Sequence, residues 1–313
     1  MATTDWQLLT PTNIQVRRAW GWGHSIQKIL AATRCSSFEA NNLTIASDFG
    51  GEHRQATHHI YGFLIVAGGG QLWRQRMRAT RTALLGDKRR MSYKRLNDAL
   101  RRNALVEYLK AAASLNGGLV IVAIDKQKRW LTTNPGADEP LREAFGIKQR
   151  WSDVGLERMM RKIHLVSLIL SVWARRHCNI TWITDEDEFV ANDARHDDAL
   201  NAAGRMANLY TPMRSGVFRL NRTSQDPTTT EFEDWCSIPD LACGMISETM
   251  SALTSEGPWP LDVRRQLPVD LSWKADVIGD WFWDDTMPLR KVLISIDMLD
   301  DQFTVRRLNL LMP

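Results

Sequence analysis

The sequence predicts an α/β domain in which a mixed β-sheet is flanked by helices. Three observations lead to this prediction: two apolar runs near the start, a later alternation of strand-like and helix-like segments, and a globular composition. The 313 residues are 44% hydrophobic and 24% charged, which excludes disordered and fibrous classes. The length suits one large domain, or one domain with an appended subdomain.

The first strands are predicted at residues 43–47 (LTIAS) and 59–67 (HIYGFLIVA), each followed by a glycine-containing turn signal. The short polar segment between them indicates antiparallel neighbours. A third strand is predicted at 119–124 (LVIVAI), because an unbroken apolar, β-branched run is typical of a strand buried on both faces. A fourth is predicted at 180–184 (ITWIT). Two shorter segments are also interpreted as strands: 91–94 and 217–220.

Helices are predicted between and after these strands, where Ala, Leu and Arg are frequent and stop signals follow. They span residues 71–85, 96–115, 153–177, 197–210 and 240–253. Residues 1–40 are interpreted as a helical lead-in, and residues 130–146 as a loop. The C-terminal extension, residues 256–313, is predicted to carry a β-hairpin formed by residues 291–296 and 303–310.

Charge and cysteine usage narrow the class of protein. The net charge of +4 permits nucleic-acid contact without indicating it. The four cysteines form no C-x-x-C pair, and a chain of this length needs no disulfides, so reduced thiols are predicted. We see neither a signal peptide at the start nor an apolar run long enough to span a bilayer. These features predict a cytoplasmic protein with no membrane contact.

Aspartates follow the predicted strands and suggest a site at one edge of the sheet. Asp48 and Asp185 each come directly after a predicted strand. Ligands of α/β sheets gather outside the carboxyl ends of strands, so these carboxylates would converge if their strands were neighbours. Asp240 would add a third carboxylate from the start of a helix. Asp125, after the third strand, fits this reasoning as well as Asp185 does, and spacing alone does not choose between them.

Such a group of acids has a chemical use, but each acid alone has an ordinary explanation. Two hard cations about 3.5–4 Å apart activate a water and stabilise the leaving oxygen of a phosphodiester. Magnesium and similar cations take oxygen ligands, so a few carboxylates suffice. An aspartate after a strand is also a common turn residue, and Asp240 after Pro239 is also an ordinary helix N-cap.

Five segments, taken in order, carry a resemblance to a known family. They are Asp48-Phe49-Gly50-Gly51, Tyr61 to Gly68, Ser92-Tyr93-Lys94-Arg95-Leu96, Asp185-Glu186 and Pro239-Asp240-Leu241-Ala242-Cys243-Gly244. This pattern resembles the ribonuclease H-like family catalogued as domain of unknown function 3800. The last segment is the most specific, since Asp-Leu followed by a small residue and glycine would let a helix start pack close to the sheet.

The resemblance implies a ribonuclease H-like domain over residues 41–255 and a metal-dependent phosphodiesterase, a nuclease acting on DNA or RNA. It implies that the ligands of Mg²⁺ or Mn²⁺ are Asp48, Asp185 and Asp240. It favours Asp185 over Asp125, because Asp185 belongs to an Asp-Glu pair. It makes Glu186 a ligand or base and Lys94 a phosphate contact. A role in defence or in mobile elements is implied by the family resemblance alone.

Departures from the family pattern favour an alternative, a catalytically degenerate module that binds nucleic acid or a partner protein. Phe49 stands where the family has glutamate, and Pro239 where it has alanine. Glu52 is considered as a substitute for the lost carboxylate. A protein partner or a homo-oligomer would use the Trp-rich ends, although core packing explains these residues as simply. The tryptophans concerned are Trp20, Trp22, Trp259, Trp273, Trp281 and Trp283.

Arginine is concentrated in one segment, which is the candidate basic surface for a nucleic-acid backbone. Solvated helix faces balanced by acids elsewhere explain the same residues equally well. The arginines are Arg74, Arg76, Arg78, Arg81, Arg89, Arg90, Arg95, Arg101 and Arg102.

Overall fold

The structure is a computed structural model and describes residues 21–33, 40–68, 70–87, 89–133, 138–175, 177–210, 216–226, 229–255, 271–299 and 302–308. It contains a seven-stranded mixed sheet with helices on both faces, which confirms the predicted α/β class. The strands are β1 (Asn42–Gly50), β2 (His58–Ala67), β3 (Gly117–Asp125), β4 (Asn179–Thr184), β5 (Phe218–Arg222), β6 (Arg290–Leu299) and β7 (Gln302–Leu308). The helices of this part of the chain are α1 (Gly21–Ala32), α2 (Gln71–Leu84), α3 (Ala99–Ala113), α4 (Asp138–Phe145), α5 (Asp153–Trp173), α6 (Asp193–Tyr210), α7 (Glu231–Ser255) and α8 (Trp273–Trp283).

The strand order in the sheet is β5-β4-β1-β2-β3-β6-β7. The strands β1, β2 and β3 form an antiparallel series, as predicted for β1 and β2. The strands β4 and β5 continue the sheet parallel to β1, and β6 continues it parallel to β3. The C-terminal hairpin β6–β7 is confirmed, and it extends the same sheet instead of standing apart.

Each face of the sheet carries its own hydrophobic core. One core joins the sheet to α1, α5 and α6, and the other joins it to α2, α3, α7 and α8. The strand β3 contributes to both: Val120 and Val122 pack on the first side, and Leu119 and Ile121 on the second. Its predicted burial on both faces is therefore confirmed, because successive side chains of a strand point to opposite faces.

Three predictions for local structure are wrong, and one helix was not predicted. Residues 91–94 contain a 3₁₀ turn, Tyr93–Arg95, instead of a strand. The segment interpreted as a loop over residues 130–146 includes the helix α4, and α8 was not predicted. The helix predicted at 240–253 begins earlier, at Glu231, so that proline lies inside it and the N-cap interpretation of Asp240 is wrong.

The remaining helix predictions are confirmed to within a few residues at their ends. Within the predicted lead-in, α1 is helical, while residues 1–20 and 34–39 lie outside the described residues. Of the cysteines, Cys178, Cys236 and Cys243 are buried free thiols, and Cys35 is outside the described residues. Among the residues described, none of the helices has both the length and the apolar character needed to cross a lipid bilayer.

Candidate functional site

The strand register places Asp48 beside Asp185. The strands β1 and β4 are parallel neighbours, and Ser47 pairs with Thr184, so the next residue along each strand direction is an aspartate. Asp48 still belongs to β1, which runs three residues further than the apolar pattern indicated. Both aspartates line a cavity of about 770 Å³ that lies outside the carboxyl end of β4.

Asp240 reaches the same cavity from α7, which lies across β1 and β2. The close approach of helix and sheet depends on Gly62, the partner of Asp48 in β2. A Cβ at Gly62 would lie 2.5 Å from the Cys243 Sγ and 3.0 Å from the Pro239 Cβ. Three separate elements therefore bring Asp48, Asp185 and Asp240 together; we call these three residues the acid cluster.

The alternative aspartate, Asp125, has a different environment. It closes β3 and accepts a hydrogen bond from the backbone N–H of Gln127 at 2.9 Å. It is not among the residues that line the cavity. Spacing left Asp125 and Asp185 equivalent, but the position of β4 next to β1 brings only Asp185 to the acid cluster.

A tight turn after α2 holds the carboxylate of Asp240. The backbone N–H of Tyr93 donates to Asp240 Oδ2 at 2.8 Å, and the Tyr93 hydroxyl donates to Glu248 Oε2 at 2.6 Å. The ring lies directly over Gly244, where a Cβ would overlap it. The glycine of the Asp-Leu-Ala-Cys-Gly segment therefore makes room for Tyr93 and not, as the sequence suggested, for the sheet.

Replacing Gly244 by alanine is expected to lower the free energy of unfolding by about 1–3 kcal/mol, because the added methyl group displaces the Tyr93 ring. The matched control is Gly204→Ala in α6, where a Cβ meets no atom within 4 Å. That change is expected to raise the same free energy by about 0.5–1 kcal/mol, since glycine is unfavourable inside a helix. Urea denaturation measures both, and equal changes in the two variants would contradict the packing assigned to Gly244.

Burial raises the pKa values of both Asp48 and Asp240. Burial, followed by the neighbouring charge of Asp240, raises the pKa of Asp48 well above its ordinary value. Burial also raises the pKa of Asp240, while the Tyr93 N–H opposes this change by stabilising the ionised form. Interaction between the two side chains raises the pKa of Asp48 and lowers that of Asp240. Two buried acids are therefore held close together, where their ionised forms are disfavoured.

Arg90 neutralises the other side of the acid cluster. Its Nη1 lies 2.7 Å from Asp185 Oδ2, and its Nη2 lies 4.0 Å from Asp48 Oδ1. Its Nε is 2.8 Å from Glu233 Oε2 at the start of α7. Asp185 also accepts from the Thr223 hydroxyl at 3.1 Å. The arginine thus contacts three acids that come from three different elements.

Cations line the same cavity beside the acids. Lys94 and Arg95 are exposed on the 3₁₀ turn and make no ion pair with any described residue. Lys274 of α8 lies 4.1 Å from the centre of the Tyr93 ring. Glu186 is exposed in the cavity wall, and its backbone N–H donates to Asp185 at 2.9 Å. The structure therefore places all five sequence-predicted residues, Asp48, Asp185, Asp240, Glu186 and Lys94, around one cavity.

Phe49 and Glu52, which the family resemblance singled out, both lie outside the acid cluster. The Phe49 ring lies with those of Tyr61, Phe63 and Phe189 at centroid distances of 5.8–6.0 Å, in the core on the α5 side of the sheet. Glu52 lines the cavity, but its carboxylate is 3.9 Å from Arg158 instead of contacting the aspartates.

Most arginines of the arginine-rich segment contact other side chains of the described structure. Five of its arginines form ion pairs with described acids: Arg74, Arg81, Arg89, Arg90 and Arg101. Arg102 lies over the Trp273 ring, 4.8 Å from its centre. Of the tryptophans near the ends, Trp281 is buried and Trp22 contacts the His164 ring, while Trp20 and Trp259 lie outside the described residues.

Sequence reasoning missed the arginine within the acid cluster, its second partner Glu233, and the contribution of Lys274. In the sequence, Arg90 was marked only as one of the nine arginines of the arginine-rich segment. Glu233 lay in a segment to which no helix or strand was assigned. Lys274 was not marked at all, because no motif surrounds it. Contacts between residues this far apart in the chain depend on the tertiary fold.

The donor atoms of the acid cluster suit a hard divalent cation, because all are carboxylate oxygens. Asp48 and Asp240 fit such an ion best, since a cation would offset the burial and mutual repulsion that raise the pKa of Asp48. Asp185 is engaged by Arg90, and within the described residues no group of three His, Cys, Asp or Glu side chains has the arrangement of a metal site. Comparisons with protein-family models, with curated proteins and with solved structures find no match to this chain.

Proposed function

We propose that this chain is a metal-dependent phosphodiesterase of ribonuclease H-like type, a nuclease that acts on DNA or RNA. The observation that carries the proposal is the meeting of Asp48, Asp185 and Asp240, from three separate elements, in one cavity. The mixed sheet, with β1 to β3 antiparallel and β4 and β5 parallel to β1, is compatible with such a fold.

In this proposal, Asp48 and Asp240 hold Mg²⁺ or Mn²⁺ through their carboxylate oxygens. The bound cation would supply the charge that activates a water and stabilises the leaving oxygen. Asp185 is kept in place by the Thr223 hydroxyl and the Glu186 N–H, so its second oxygen is directed towards Arg90. Glu186 is close enough to the acid cluster to act as a further ligand or as a base.

The proposed substrate is a polyanion, because cations line the cavity beside the acids. Lys94, Arg95 and Lys274 are the cavity-lining cations on the side of the 3₁₀ turn and α8. A phosphodiester backbone contacting these residues would place one phosphate next to the acid cluster. Lysine and arginine contacts to backbone phosphates make binding dependent on salt and largely independent of base sequence.

The proposal is tested by nuclease assays on single- and double-stranded DNA and RNA with Mg²⁺ or Mn²⁺. Asp185→Asn is expected to lower the cleavage rate by about 10²–10³-fold, the size of effect typical for one electrostatic or acid–base group. Asp125→Asn is the matched control, because this aspartate also ends a strand but lies away from the cavity. Equal rates for wild type and Asp185→Asn, or cleavage that persists in EDTA, would overturn the proposal.

A second candidate function is a non-catalytic module that binds nucleic acid or a protein. Two observations favour it: the ion pair between Arg90 and Asp185, and the aromatic core position of Phe49. In that case binding of labelled nucleic acid depends on Lys94 and Arg95 and persists in EDTA. Nucleic-acid binding that requires a divalent cation would count against this second function.

A further inference from the structure

Arg90 is held beside the acid cluster in two ways. Its side chain forms ion pairs, and the backbone carbonyl groups of Arg90 and Arg89 accept hydrogen bonds from other arginines. The buried Arg101 donates from Nε to the Arg90 carbonyl at 2.7 Å. Arg81 donates to the preceding carbonyl, of Arg89, at 3.2 Å and is ion-paired with Asp234. This carbonyl anchoring makes Arg90 a built part of the site.

The first turn of α7 adds a second restraint. Glu233 and Asp234 are consecutive residues of the helix, and they pair with Arg90 and Arg81 respectively. The same helix carries Asp240, so the helix that pairs with Arg90 also supplies one acid of the acid cluster. The Nη1 and Nε of Arg90 lie at ion-pair distance from Asp185 and Glu233, and its Nη2 lies 4.0 Å from Asp48 Oδ1.

We propose that Arg90 takes the place of the second cation, so that the site holds a single divalent ion, at Asp48 and Asp240. This inference rests on the proposed function. A two-metal site needs a second ion in contact with acids on both neighbouring strands, about 3.5–4 Å from the first. In this chain the guanidinium contacts Asp185 and faces Asp48, which are the acids that such an ion would share.

A guanidinium in this position differs from a metal in two ways. It is charged at all relevant pH values and is not removed by chelators. Its nitrogens lie near Asp185, Asp48 and Glu233, so Arg90 is assigned as a fixed cation that occupies the place of a second ion beside these acids.

Titration of the purified chain with Mn²⁺, followed by calorimetry and by electron paramagnetic resonance of the free ion, tests this assignment without substrate. Wild type is expected to bind a single ion. Arg90→Gln removes the fixed charge, so it is expected to bind a second ion, or to bind the first about tenfold more tightly or more, as follows from removing a neighbouring cation. Arg89→Gln is the matched control, because Arg89 pairs with Asp87 and Asp98 instead of the acid cluster; it should behave as wild type.

Two ions bound by wild type, no ion bound by wild type, or an unchanged titration for folded Arg90→Gln would each overturn the inference. If Arg90→Gln does not fold, the wild-type stoichiometry and Arg90→Lys decide, since lysine keeps the charge and should preserve single-ion binding. Failure of the proposed function is distinguishable. If the wild-type chain has no nuclease activity but binds one ion, and Arg90→Gln binds two, the proposed function fails while the assignment of Arg90 is supported. If the wild-type chain is an active nuclease that binds two ions, only the assignment of Arg90 fails.

Discussion

Asp48→Asn is expected to lower metal-dependent cleavage by about 10²–10³-fold or more while raising the free energy of unfolding. Cleavage falls because asparagine lacks the negative charge that would hold a cation with Asp240. Stability rises because burial and the charge of Asp240 disfavour the ionised form of the wild-type carboxyl group and so raise its pKa. The expected gain is about 0.5–2 kcal/mol, which is the range usual when a strained functional group is replaced.

The gain in stability of Asp48→Asn over wild type is expected to increase with pH. The folded-state pKa of Asp48 is raised well above the ordinary value of 3.8, so the folded chain retains a proton that the unfolded chain releases. The contribution of Asp48 to stability is present below pH 3.8 and is lost as the pH rises through the folded-state pKa. Asp48→Asn removes that decrease, so the variant should be distinctly more stable than wild type at neutral pH and close to it in acid.

Chemical denaturation at several pH values, together with a nuclease assay, checks both halves of this prediction. Asp125→Asn is the control, because this half-buried strand-end aspartate does not line the cavity and should change neither quantity appreciably. Saturating Mn²⁺ should stabilise wild type more than Asp48→Asn, since only wild type binds the ion tightly. A variant that loses stability and keeps its activity would show that Asp48 is an ordinary structural carboxylate.

Glu157→Ala is expected to cost about 3–5 kcal/mol of the free energy of unfolding, the range for removing one partner of a buried ion pair. Glu157 is 2% exposed on α5, and its carboxylate accepts from Arg161 at 2.7 Å. It also accepts from the backbone N–H groups of Leu131 and Thr133, at 2.9 and 2.7 Å. Alanine would leave a buried guanidinium and the N–H groups of the segment after β3 without their acceptor.

The matched control is Glu107→Ala in α3, where an exposed carboxylate pairs with Lys110 at 2.8 Å. That change is expected to cost well under 1 kcal/mol, because exposed ion pairs contribute little. Denaturant unfolding of both variants gives the comparison, and Glu157→Gln should lie between them, since an amide keeps one acceptor oxygen but no charge. Similar losses for Glu157→Ala and Glu107→Ala would contradict the role given to the buried pair.

Properties that depend on local pattern could be determined from the sequence by itself. The antiparallel pair β1–β2, the doubly buried β3 and the hairpin β6–β7 each follow from a short apolar run and the turn residues beside it. The placement of Asp48 and Asp185 at the end of their apolar runs follows in the same way. The alternation of side chains along a strand and the residues of a turn each depend on only a few consecutive residues, so the sequence alone is enough to predict them.

The start of α7 could not be determined in this way, because Pro239 predicts a helix start and the structure places it inside a helix. A proline inside a helix removes one backbone hydrogen bond, and that cost is acceptable only where packing against the sheet offsets it. Here Pro239 and Cys243 fill the space left by the missing side chain of Gly62. The neighbouring strand, not the sequence around Pro239, therefore decides where the helix begins.

The tertiary structure alone decided which acids meet and which cation meets them. Local pattern left Asp125 and Asp185 equivalent, and the strand order separated them by placing β4 next to β1. Arg90 and Glu233 come from distant parts of the chain and meet beside the acid cluster. In the sequence, nothing distinguishes them from the other arginines and acids. Ion pairs depend on distance and burial in space, which a chain acquires only when its sheet and helices are assembled.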